Sequence, residues 1–106
     1  MKAPKAPPHL SDEAKKLWKT LISEYSISDS GGLAVLRSGL EARDRAEQAR
    51  LDIAERGLIL SDRFGQPKSN PAATIERDSR SQWLQAIKQL GLDIDVAEQK
   101  LNPYRR

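Results

Sequence analysis

"LAVLRSGLEARDRAEQARLDIAERG", residues 33–57, decides the fold. No proline interrupts it, and Gly57 stands where a helix can stop, at the C′ position. Its periodicity predicts one long helix ending at Arg56. At about 100° per residue, Val35, Ala42, Ala46, Ala49 and Ile53 fall on one arc and Leu33, Leu36, Leu40, Leu51 and Ala54 on another. Arg43 and Arg50 run between the two. A helix that faces a single core needs one apolar stripe, so two stripes predict two partners. One is the protomer's own core. The alanine-rich arc lets a second helix approach closely, which makes Val35, Ala42, Ala46, Ala49 and Ile53 the expected oligomer interface. The other reading buries both arcs inside one monomeric bundle. The remaining side carries Glu41, Arg45, Asp52, Glu55 and Arg56, with Glu41–Arg45 and Asp52–Arg56 at the i,i+4 spacing of stabilising ion pairs.

Composition favours partners. One Phe, two Trp and two Tyr leave a thin core for 106 residues, and a domain of this size buries only about 60–70% of its unfolded surface. The chain is long enough for one domain and not for two.

Upstream, residues 1–10 read as a flexible basic arm. Pro4, Pro7 and Pro8 disfavour helix, and Lys2 and Lys5 carry charge. Ser11 is the expected N-cap of a first helix, with Asp12 and Glu13 at the positive end of its dipole. Ala14, Leu17, Trp18, Leu21, Ile22 and Tyr25 make its apolar face, while Lys15, Lys16 and Lys19 form a basic stripe off it. "SISDSGG" breaks the pattern, and Asp29 or Ser30 caps the long helix.

Downstream, "LILSDRFGQPK" combines a β-prone run with turn formers, and Pro67 limits any returning strand to an edge. A small hairpin or extended loop is expected. Asn70 then caps a third helix, with Pro71 at its first position. Ala72, Ile75, Trp83, Ala86, Ile87 and Leu90 are its expected buried face, Glu76 and Arg80 an i,i+4 pair, and Gly91 its end. In "LDIDVAEQKLNPYRR", Asp95 with Glu98 resembles a capping box, which implies a short fourth helix stopped by Pro103. The expected fold is mainly α: a helical hairpin-like domain of three to four helices, one of them long, with a short β-hairpin or extended turn. The helical oligomerising domain covers residues 11–101, and residues 102–106 are a basic tail with Arg105 and Arg106.

Several function classes are disfavoured. There is no cysteine, and His9 is the single histidine, so thiolate chemistry is excluded and a metal site is not expected. No phosphate-binding glycine loop is present, and one histidine leaves little room for a Ser–His constellation. No enzymatic activity and no cofactor are expected. The N-terminus lacks the apolar stretch of a signal peptide, and no run approaches the roughly 20 apolar residues of a membrane span. Eighteen Lys and Arg against fifteen Asp and Glu give +3, compatible with nucleic acid but equally with a mixed solvated surface. Helices three and four have the outline of a helix-turn-helix, yet Asp93, Asp95 and Glu98 at the entrance of the second would repel phosphate.

Three stretches in order carry a family resemblance: "APPHLSDEAKKLWKTLISEY", "LEARDRAEQARLDIAERGLIL" and "DRFGQPKSNPAATIERDSRSQWLQAIKQLGLD". Together they resemble a short, all-helical family of bacteriophage terminase small subunits, from about Pro8 to Asp93. The most specific part is the turn with Gly65, Lys68 and Pro71 leading into Ile75, Glu76 and Arg77, closed by "QLGL". The resemblance implies a homo-oligomeric ring in the cytoplasm of the infected bacterium. It also implies recognition of concatemeric viral DNA at the packaging site, and delivery to a large subunit that holds the ATPase and nuclease. On that reading the candidate DNA contacts are Lys2, Lys5, Arg43, Arg50, Arg63, Lys68, Arg105 and Arg106. A helical adaptor that binds only protein, or a small transcriptional regulator, are the alternatives.

Overall fold

The computed structural model describes residues 4–92. Three helices and one hairpin follow in order: α1 (Asp12–Tyr25), α2 (Ser30–Arg56), β1 (Ile59–Ser61), β2 (Pro67–Ser69) and α3 (Ala72–Leu90). The expected fourth helix and basic tail lie outside the described residues.

Each helix starts on the residue chemistry its sequence offers. The Ser11 hydroxyl accepts the Ala14 N–H at 3.1 Å, and Asp29 accepts the Gly32 N–H at 2.8 Å. Both satisfy donors that a helix N-terminus leaves orphaned. Asp29 is therefore the cap of α2, and the helix opens at Ser30, ahead of Leu33, because Gly31 and Gly32 continue helically behind it. Gly91 closes α3 in the left-handed region at φ 68°.

α2, 27 residues and roughly 40 Å long, is the spine. α3 runs back along it, and α1 crosses one end. The apolar core gathers there: Trp18, Leu21 and Ile22 of α1 meet Leu36 and Leu40 of α2 and Ile87 at the end of α3. Leu10 and Ala6 join them from the N-terminal segment. From Pro4 onward that segment is tied to the body, because Trp18 Nε1 donates to the Pro4 carbonyl at 2.9 Å and Leu10 is buried. Asp44 takes the Ser11 amide and hydroxyl at 2.8 and 2.6 Å, while His9 Nε2 lies 2.6 Å from Glu41.

The alanine arc of α2 packs differently. Ala42, Ala46 and Ala49 are buried, with Ala72, Ser79 and Ala86 buried on the facing side of α3. The helix that comes close to this stripe is α3 of the same chain. Val35 and Ile53 at its ends are half-buried. At the closest approach Gly39 faces Ala86 and Trp83. Two sequence expectations fail here. Ile75, placed in the buried face of α3, is 49% exposed, because it turns to the flank of the α2–α3 seam. Arg45 does not pair with Glu41: it donates to Gln82 of α3 at 2.9 Å, and Glu41 faces Arg37 and His9 instead. The Asp52–Arg56 and Glu76–Arg80 pairs form as spaced.

Candidate functional site: a locked hairpin and the cleft beside it

The two strands are antiparallel, with Ile59 opposite Ser69, Leu60 opposite Lys68 and Ser61 opposite Pro67. Strands this short do not hold themselves together, so the turn and the base are fixed by side chains. In the turn, Asp62 Oδ1 accepts the amides of Phe64 and Gln66 at 2.8 and 2.9 Å. Gly65 takes φ +78°, a conformation other residues rarely adopt. This Asx-type turn presents Arg63 at the tip, its guanidinium 4.9 Å from the centroid of the exposed Phe64 ring.

Asn70 fixes the base. Only 2% exposed, it joins three parts of the chain. Its Nδ2 donates to Asp52 of α2 and to the Gly57 carbonyl, each at 2.9 Å. Its Oδ1 accepts the Ala72 N–H at 2.9 Å and so caps α3 behind Pro71, whose backbone is already helical. Its own amide donates to the Leu58 carbonyl at 2.8 Å. The breaker-rich stretch between α2 and α3 is thus a clamp that sets the angle of the hairpin. The hydrogen bond from Asn70, with a further contribution from Arg56, holds the Asp52 carboxyl below the ordinary aspartate value.

Beside the hairpin lies an open cleft of about 510 Å³. Ala49, Leu60 and Ile75 give it an apolar floor, and Arg45, Arg56 and Lys68 stand at its rim. Asp52 is the one carboxylate in its lining.

The predicted DNA contacts fare unequally. Arg63 and Lys68 come together on the hairpin, exposed and without an ion pair among the described residues. Lys5 is exposed at the opposite end. Arg43 is engaged by Glu13 of α1 at 3.3 Å and Arg50 by Glu47 at 2.6 Å. The Arg50 guanidinium pulls the Glu47 carboxyl below its usual range, and Glu47 in turn raises Arg50. Lys2, Arg105 and Arg106 lie outside the described residues. Arg45 and Arg56 were missed as site residues, because their i,i+4 spacing read as ordinary surface pairing. Their convergence with Lys68 depends on the return of α3 and the hairpin.

Among the described residues no group of three or more His, Cys, Asp or Glu is placed to hold a metal, and no helix is long and apolar enough to cross a membrane. What the fold offers is a helical hairpin extended by a rigid basic tip, with charged and apolar surface as its accessible chemistry. The family model for the phage terminase small subunit matches residues 14–103, and the chain belongs to that family. Comparison with curated proteins finds no match, and neither does comparison with solved structures.

Proposed function

We propose that this terminase small subunit recognises concatemeric viral DNA at the packaging site, in the cytoplasm of the infected bacterium. It then delivers that DNA to the large subunit and regulates its ATPase and nuclease, working as a non-catalytic homo-oligomeric ring. The observation that carries the DNA reading is the clamped hairpin, which holds Arg63 and Lys68 exposed and, among the described residues, outside any ion pair. Cations in that condition can neutralise phosphate without first giving up an ion pair. Lys5, exposed on the body, and Lys2, Arg105 and Arg106 add further positive charge. Arg43 and Arg50 contribute only if DNA displaces Glu13 and Glu47. A protein-only adaptor role is favoured by a different observation, the exposed Phe64 and Ile59 on the same hairpin.

The test is a double replacement, Arg63→Ala with Lys68→Ala, read by duplex-DNA binding across a salt series. Exposed charges contribute about 0–1 kcal/mol to stability, so the variant should melt as the parent does. Its DNA affinity should fall, and the slope of log affinity against log salt should become shallower by about two units, one for each phosphate that is no longer neutralised. DNA binding that is unchanged in affinity and slope removes the hairpin from the interface. Absence of any low-salt binding by the assembled parent favours the adaptor.

A further inference from the structure

The leucine arc of α2 is only half covered. Leu36 and Leu40 are fully buried under α1, but α1 begins at Asp12, where Ser11 is bonded to Asp44. Beyond that point the same arc continues as Leu51, 54% exposed, and the exposed Ala54. Glu47 and Glu55 border this ridge, and Arg50 is paired to Glu47. On the opposite flank of α2 lies the cleft, apolar at its floor and cationic at its rim. One chain therefore carries a convex apolar ridge edged by carboxylates and a concave apolar cleft edged by Arg45, Arg56 and Lys68. They point in different directions, so the chain cannot satisfy one with the other.

We infer that the Leu51–Ala54 ridge of one copy seats in the Ala49–Leu60–Ile75 cleft of the next, in a head-to-tail contact. This deepens the self-assembly reading above and rests on it. Two unlike surfaces on opposite flanks generate a heterologous interface, which closes into a ring or runs on as a filament, whereas a twofold contact would match a surface with itself. Charge complementarity selects a second copy as the occupant. Glu47 is already paired to Arg50 and Arg56 to Asp52, so the free ridge carboxylate among the described residues is Glu55, which meets Arg45. The cleft lining keeps more cations than carboxylates and would repel a second such cleft set against it. The alanine arc is already covered by α3, so assembly needs neither Ala42 nor Ala46 exposed.

Two variants and their mixture test this by mass photometry, with circular dichroism as the control for folding. Leu51→Lys spoils the ridge and Ile75→Lys spoils the cleft. Both residues are about half exposed, so the helices should persist. Both changes add the same charge, so the two altered surfaces do not rescue each other. Each variant alone should be monomeric. Mixed one to one, they should form a pair that grows no further, through the intact ridge of one and the intact cleft of the other. An Ile75→Lys sample that still assembles indicates ridge against ridge and overturns the inference. So does a Leu51→Lys sample that assembles like the parent, or a mixture that forms no pair or regains full size. A monomeric parent overturns the self-assembly reading itself, a result distinct from all of these.

Discussion

Asn70→Ala should lower stability by about 2–3 kcal/mol, two or three times the cost of an ordinary helix cap. Losing a cap alone costs about 1 kcal/mol. Here the side chain also bonds Asp52 and the Gly57 carbonyl from a position 2% exposed. Both partners are half-buried and open to water, so losing the Gly57 bond adds only its net worth, about 0.5–1.5 kcal/mol, and losing the Asp52 bond adds to that. In a domain of this length that is a fall in melting temperature of roughly 10–25 °C, measured at one protein concentration because assembly raises apparent stability. A loss near 1 kcal/mol would reduce Asn70 to a cap and leave the clamp without energetic weight. The pH dependence offers a second reading. The Asp52 carboxyl is depressed in the folded state, first by the Asn70 bond. The stability it contributes is complete above the ordinary aspartate value of 3.8 and is lost as pH falls through the lower, folded value. Removing Asn70 should flatten that part of the acid limb. Asn70→Asp should reverse the trend: it keeps the cap but sets a second carboxylate against Asp52, so the variant should gain stability as pH falls from neutral toward 4.

Gly39→Leu should cost about 3 kcal/mol or more, and Gly39→Ala a smaller but still unfavourable amount. Ala is the better helix former by roughly 1 kcal/mol, so an exposed glycine here would be improved by the change. Instead a Cβ at Gly39 would stand 2.6 Å from the Ala86 Cβ and 3.2 Å from the Trp83 ring. The Ala86 methyl has no rotamer by which to withdraw, so the helix axes must separate, and overpacking of this kind costs about 1–3 kcal/mol. Thermal melts of the single variants and of Gly39→Ala with Ala86→Gly supply the check. The second change returns space at the crossing, so the pair should be less destabilised than the sum of the singles, a coupling expected only for residues that touch. A Gly39→Ala protein more stable than its parent would mean that α2 and α3 do not meet there.

Helix positions were legible because they rest on local chemistry. Ser11, Asp29, Asn70 and Gly91 mark helix ends by side-chain and backbone properties that act over a few residues. The hairpin was legible for the same reason, from Asp62, Gly65 and Pro67. Two apolar arcs on α2 were legible as arcs, but their partners were not. Alanine invites any close helix, and only the return of α3 makes it this chain's own. Ile75 illustrates the same limit: helical periodicity places it within tens of degrees of the seam, and that uncertainty separates a buried residue from a cleft wall. The glycine at 39 carried a signal, since a glycine inside a strong helical pattern calls for a reason, but the reason is Ala86, 47 positions away. Asn70 was legible as a cap and not as a clamp, because Asp52 and Gly57 reach it only after α2 ends and the hairpin folds back. Arg45 and Arg56 became a cationic rim by the same return of the chain.

α1 covers only the first half of α2, and this divides the spine into two regimes of local opening. Amides around Leu36 and Leu40 can exchange with solvent only when three helices part, so they should report the global unfolding free energy. Past Asp44, among the described residues, the helix packs chiefly on α3, through alanines and a serine that bury little area. Amide protection along a single uninterrupted helix should therefore decay toward Ala54 and then rise again at Gly57, whose N–H donates to the Ile53 carbonyl and whose own carbonyl is held by Asn70. Hydrogen exchange would read α2 as a stiff root, a breathing middle and a pinned end. A neighbouring copy that occupied the ridge would raise protection in the middle alone.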